Sequence, residues 1–195
     1  MSTYKMNCSS PPQPQHLNQT ILACGSGTGV VLPDHNESGS QLFNPYVVAS
    51  VAIDTSMLVH PTIKIDFSSL IIFKEADYYP SDLRLTFQLV KVCENGARIP
   101  LGTWNYERFI EVYGGGLCIP TPLDADAVSI NRGNFIKVET VDSFGFIFCE
   151  CQDCPGCCHY VVEIINAETN NVDHPAVSNA AITALAVGPL ARRDD

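Results

Sequence analysis

Period-two alternation of apolar and polar side chains runs through most of this chain. Ile63, Ile65 and Phe67 alternate with Lys64, Asp66 and Ser68, and Leu83, Leu85, Phe87 and Leu89 alternate with Arg84, Thr86 and Gln88. A helix would set Leu83 and Leu85 about 200° apart, whereas a strand puts them on one face. Both stretches therefore predict half-buried strands. Val47, Ala49, Val51 and Ile53 share one face of another, and Phe144, Phe146 and Phe148 of a further one. Tyr160, Val162 and Ile164 alternate after that. Thr20–Ala23 is a short apolar segment running into the glycine-rich stretch Gly25–Gly29. Glu94-Asn95-Gly96 carries the Asn-Gly pair favoured in tight hairpins, so Arg98–Phe109 should return as the partner strand.

Pro155-Gly156 predicts a turn between the Phe144–Phe148 and Tyr160–Ile164 runs, which makes the cysteines around it part of a hairpin. Ala180–Val187 is ambiguous, because its alanines permit a helix. Its length and the following Gly188-Pro189 suit a terminal strand. Eight or nine short strands, no clear helix and no fixed-period repeat predict an all-β fold, an antiparallel β-sandwich. A jelly roll is the natural topology for eight strands.

Residues 1–17 are polar, with Pro11, Pro12 and Pro14 in a run rich in Ser, Gln and Asn. They read either as an extended N-terminal connector arm carrying Cys8 or as a plain disordered tail. The sandwich is expected over 18–188, and 189–195 as a polar tail.

Composition narrows the functional classes. Of 195 residues, 46% are hydrophobic and 16% charged, enough to build a core. A net charge of −10, with 11 scattered Lys and Arg, argues against binding nucleic acid or an anionic membrane surface. No stretch approaches the roughly 20 apolar residues of a bilayer-spanning helix. The opening MSTYKMNCSSPPQPQ has no apolar segment of a secretory signal. Nine cysteines without such a signal suggest synthesis in a reducing cell and later release into an oxidising exterior. Nine is odd, so at least one thiol stays single, binds something, or pairs with another chain.

Five of the nine lie in FCECQDCPGCCHY: Cys149, Cys151, Cys154, Cys157 and Cys158. Cys151-x-x-Cys154-x-x-Cys157 resembles half of a zinc or iron–sulfur pattern. A second Cys-x-x-Cys or His pair is missing elsewhere, and adjacent Cys157-Cys158 is a poor chelate because successive strand side chains point to opposite faces. A thioredoxin-type centre needs a helix after its Cys-x-x-Cys, and none is predicted here. Disulfide reinforcement is the favoured reading, with one of the adjacent pair bonding inside the fold and the other outside. A zinc- or iron-binding module is the alternative, and a carbohydrate- or surface-binding jelly roll a third.

CGSGTG, Cys24–Gly29, lacks the helix that a phosphate loop needs and reads as a glycine turn or bulge. The loop from Asp34 begins like a calcium-binding loop but has Pro45 where a glutamate belongs. Trp104 and Tyr106 alternate on one strand face and are expected in the core. The five histidines are dispersed, and no nucleophile–base spacing appears. No enzyme activity and no cofactor are expected.

CGSGTG, VASVAIDTSMLVHPTIKIDFSS, LVKVCENGARIPLGTWNYE and FGFIFCECQDCPGCCHYVVEI together resemble a cysteine-rich family of spore-forming anaerobic bacteria, over about residues 20–187. That family has no assigned activity, so it supplies context. A second resemblance is to endospore-appendage fibre subunits, jelly rolls whose N-terminal connector cysteines bond to neighbouring subunits. This chain has one arm cysteine, Cys8, where those have a pair. The resemblance implies a homo-oligomer, an open helical or stacked fibre on the spore surface, freed by mother-cell lysis. Intersubunit disulfides are then expected among Cys8, Cys24, Cys149, Cys151, Cys154, Cys157 and Cys158.

Overall fold

The computed structural model describes residues 18–33, 44–75, 81–93, 96–110, 139–151 and 156–191. Among them there are ten strands and no helix: β1 (Asn18–Cys24), β2 (Ser26–Gly27), β3 (Val30–Val31), β4 (Tyr46–Asp54), β5 (Thr62–Glu75), β6 (Ser81–Val92), β7 (Arg98–Ile110), β8 (Glu139–Cys151), β9 (Cys157–Asn170) and β10 (Val172–Pro189). Sheet 1 has the order β1-β10-β5-β8, with β3 also against β10, and sheet 2 the order β2-β4-β9-β6-β7. All pairings are antiparallel. From β4 to β10 the chain passes between sheets at every connection except β6–β7, which is jelly-roll connectivity. The strands are longer than the sequence suggested, with β5 and β9 of 14 residues and β10 of 18. The extra length keeps one buried phase, with Ile71 and Phe73 in β5 and Val172 and Val177 in β10 at 2% exposure or less.

Each alternating run turns its apolar phase inward except at Val47, which a register shift before Ala49 puts on the outer face, away from Ala49, Val51 and Ile53. Ile63, Ile65 and Phe67 meet Leu83, Leu85, Phe87, Tyr160, Val162 and Ile164 in one continuous core. Along one side the two sheets are joined by an aromatic seam. Trp104 of β7 stacks on Phe146 of β8 with centroids 3.8 Å apart, and Phe87 stacks on Phe144 at 4.4 Å. Gly102 leaves room for this indole, since a Cβ there would lie 2.8 Å from its Cη2.

The hairpin over Gly96 forms as expected: β6 pairs β7 up to Val92 opposite Arg98, and Gly96 takes φ 79°. Asn95 lies outside the described residues. The cysteine segment does not form a hairpin. β8 belongs to sheet 1 and β9 to sheet 2, so the connection arches across the end of the sandwich. A Pro-Gly turn reverses the chain equally well within a sheet or between sheets. Here Phe144, Phe146 and Phe148 face Trp104 and Phe87 across the core, so the two strands pack face to face.

Gly25–Gly29 is the glycine turn that was expected, in a more demanding form. The chain leaves β1 in sheet 1, touches sheet 2 as β2 and returns to sheet 1 as β3. Gly25 donates its N–H to Ile182 O (2.9 Å), and Thr28 donates to Val48 O (3.1 Å).

Candidate functional site

The two outer faces of the sandwich differ in chemistry. On sheet 1 the register sets side chains in rows across four strands. Leu22 lies opposite Leu185, then Lys64, then Cys149; Thr20 opposite Val187, Thr62 and Cys151; Cys24 opposite Thr183, Asp66 and Ile147. Leu22 is 65% exposed, Ile147 63%, Val31 74% and Val141 54%, and none of them turns into the core. A Lys64–Asp66 ion pair (3.0 Å) sits among them. Ser68, Gly145 and Ala181 are small and leave a shallow groove of about 590 Å³, flanked by Asp66, Ile147 and Thr183.

Sheet 2 presents a largely polar face. Arg84 bridges Asp82 (3.1 Å) and Glu107 (2.9 Å), and Arg98 pairs with Glu163. His159 and Glu168 are exposed there, with Val47 and Phe109 as apolar exceptions.

The thiols divide between these surfaces. Cys24, Cys149 and Cys151 are free and exposed on the sheet 1 face. β1 and β8 are its opposite edges, three strand spacings or about 14 Å apart. Cys24 therefore cannot bond Cys149 of its own subunit, because a disulfide needs Cα atoms within about 7 Å. Cys157 points outward from sheet 2 and Cys158 is buried, the opposed orientation that adjacent strand positions dictate. Cys8, Cys118 and Cys154 lie outside the described residues. Among the described residues no three His, Cys, Asp or Glu side chains converge on a metal-sized site.

The end of the sandwich where β8 gives way to β9, the mouth, carries a polar cluster of inward-phase residues. Glu150 of β8 faces inward and accepts hydrogen bonds from Lys91 Nζ (2.8 Å) and Tyr160 OH (2.5 Å) of sheet 2. The Lys91 and Glu150 side chains are only 12% and 15% exposed. Thr55 ties the arch down. Its N–H and Oγ1 both donate to Gly156 O at 3.0 Å, and its Oγ1 accepts from Gly156 N at 3.3 Å.

Burial, and then the bond to Glu150, raise the Tyr160 phenol well above its usual range. For Lys91, burial pulls the ammonium down, but the hydrogen bond and charge of Glu150, with smaller contributions from Cys158 and Cys93, leave it above its usual value. Both folded-state values are raised, so their stabilisation is complete below the unfolded values of 10.0 and 10.5 and is lost as pH rises beyond them. Denaturation midpoints are expected to hold steady from pH 8 to about 9.5 and then to fall. Tyr160→Phe should flatten that fall. An equal fall in both proteins would remove Tyr160 as its source.

The family described as "Domain of unknown function (DUF4489)" matches residues 18–187. The chain belongs to this family. Its matched span runs from the first residue of β1 to within two residues of the end of β10, so the DUF4489 domain coincides with the sandwich. Among curated proteins none matches by sequence. Among solved structures, one titled "Structure of infectious bursal disease virus Gt strain" aligns at TM-score 0.33 and 7% identity, over 98% of this chain and 43% of the viral chain. The DUF4489 chain thus spans less than half the length of that protein.

Proposed function

We propose that this protein is a structural subunit that assembles with copies of itself into a disulfide-stabilised filament or surface layer. One observation carries the reading: the outer face of sheet 1 displays Leu22, Val31, Val141 and Ile147 together with the thiols of Cys24, Cys149 and Cys151, while sheet 2 turns a mainly charged face to solvent. An apolar sheet face left to water favours association, and thiols on the same face can make that association covalent. The two faces are dissimilar, so contact between unlike patches propagates into an open fibre unless the rotation closes a ring. Among the described residues, strands β7 and β8 sit at the margins of their sheets, positions from which an edge can pair further.

The connector arm fits this scheme. Cys8 stands ten residues before Asn18, and about ten extended residues reach ~30 Å, enough to cross to a neighbour. Its acceptors in this reading are Cys24, Cys149, Cys151, Cys154 or Cys157 of another subunit. The spore surface, reached by mother-cell lysis, is the setting that the sequence resemblance suggests, and the reading assigns no catalytic role, cofactor, nucleic acid or membrane.

Electron microscopy of the oxidised full chain, with and without reductant, tests this. Filaments or sheets are expected, and Cys8→Ser should leave the domain folded while its assemblies dissociate in detergent or acid that wild type survives. A monomer at high concentration under oxidising conditions would overturn the proposal.

A further inference from the structure

The two central pairings of sheet 2 bring together two cysteines that lie far apart in sequence. On β6 and β9 the register runs Leu89 opposite Val162, Lys91 opposite Tyr160 and Val92 opposite His159. Continued one step past its last pair, the register would set Cys93 opposite Cys158, neither of which is disulfide-bonded in this structure. Residues opposite one another in an antiparallel pair face the same side. Tyr160 and Cys158 are buried on the inner side of β9. Lys91, two residues before Cys93, also turns inward, to Glu150. Both sulfurs therefore point into the mouth.

Hydrogen bonding identifies the kind of pair. Cys93 N–H donates to Ala97 O (3.0 Å) and Cys93 O accepts from Gly96 N (2.9 Å), so both backbone groups turn toward β7. Toward β9, Cys93 thus occupies a non-hydrogen-bonded position, where facing Cα atoms approach to about 4.5 Å and side chains are closest. That separation falls within the roughly 4.4–6.8 Å span that a disulfide bridges.

We infer that Cys93 and Cys158 form a disulfide within one subunit, bridging β6 and β9 across the mouth. Half-buried Cys93 attacks first, as its thiolate, on a sulfur of a small disulfide such as oxidised glutathione, and one glutathione thiol leaves. The sulfur of Cys158 then displaces the second glutathione from Cys93. Two protein thiols are oxidised, one small disulfide is reduced, and the two protons end on the released thiols. The bridge takes Cys158 out of the set available to neighbours and leaves outward-facing Cys157 in it. Seven of the nine cysteines then remain, still an odd number.

The test uses the full chain, purified reduced, oxidised with glutathione disulfide and blocked with a thiol alkylator before non-reducing peptide mapping. A linked peptide joining Cys93 to Cys158 is expected in wild type and in Cys157→Ser, and its loss in Cys158→Ser. The bridge closes a loop of about 65 residues, so oxidation should raise the thermal midpoint of Cys157→Ser by roughly 10 °C. No such rise should occur in Cys93→Ser. The linked species should migrate as a monomer, which separates this result from any bond between subunits. Cys93 still alkylated after oxidation of folded protein, or joined to another cysteine, overturns the inference, and wild-type mapping decides even if Cys158→Ser fails to fold.

Discussion

Gly27→Ala is expected to leave little or no folded domain. A Cβ at this position would lie 1.8 Å from Ala180 O and 2.5 Å from its carbonyl carbon. The obstacle is backbone of β10, the strand between β1 and β5 in sheet 1, and cannot be relieved by a rotamer change. Gly25 is equally enclosed, with Ser50 O at 2.2 Å and Val51 Cβ at 2.7 Å from an added methyl. Either substitution must push the crossover away from one sheet or separate β4 from β10. Ordinary overpacking costs about 1–3 kcal/mol, and displacement of central strands should exceed that, reaching at least about 4 kcal/mol. Against a typical total of roughly 5–15 kcal/mol, this is close to unfolding. Urea denaturation followed by tryptophan fluorescence reads it directly, through Trp104. A Gly27→Ala midpoint matching wild type would show that the crossover slides freely, and that the glycines serve something other than close approach.

Removing the carboxylate at the mouth should have the next largest effect. Glu150→Ala leaves the Lys91 ammonium and the Tyr160 hydroxyl without their shared acceptor in a site about one-eighth open to water. Breaking a buried pair from one side costs about 3–5 kcal/mol; some residual access to water places this case near 3 kcal/mol. The double variant Lys91→Met with Glu150→Leu should recover the part of the loss due to the unpaired charge, while the Tyr160 hydroxyl still lacks its acceptor. A double-mutant cycle in chemical denaturation measures the coupling, and a value below about 0.5 kcal/mol would show the pair to be solvated.

How far the fold could be read from sequence follows from what alternation encodes. Period two at Ile63–Phe67 and Leu83–Leu89 reports that one face is buried, so those strands and their inward residues were legible. The Asn-Gly pair is a local instruction and gave the β6–β7 hairpin. Sheet membership is not local. Nothing around Pro155-Gly156 states whether the chain pairs with itself or arches, and that outcome depends on phenylalanines meeting Trp104 from another strand. Lys91 and Glu150 sit in the inward phase of LVKVC and FCEC, a discernible signal, yet each alone reads as a surface charge. They are buried only because β6 and β8 face each other. Cys93 carries no sequence signal for the same reason: it stands alone there, and the bridge inferred for it depends on register. The apolar outer face did leave a trace, since both phases are apolar at Leu70–Ile72 and at Phe146–Phe148.

β10 is the last of the ten strands to leave the ribosome, and it lies between the first strand and the fifth. Until it arrives, β1 has no partner among the described strands of its sheet and β5 has β8 alone among them, so sheet 1 stays split. Contacts this distant in sequence make folding slow. A growing chain would spend that interval with its stickiest segments uncovered and its thiols still reduced. High expression at low chaperone capacity should therefore yield disordered aggregates rather than ordered assemblies, and slower synthesis should shift the yield toward native subunits.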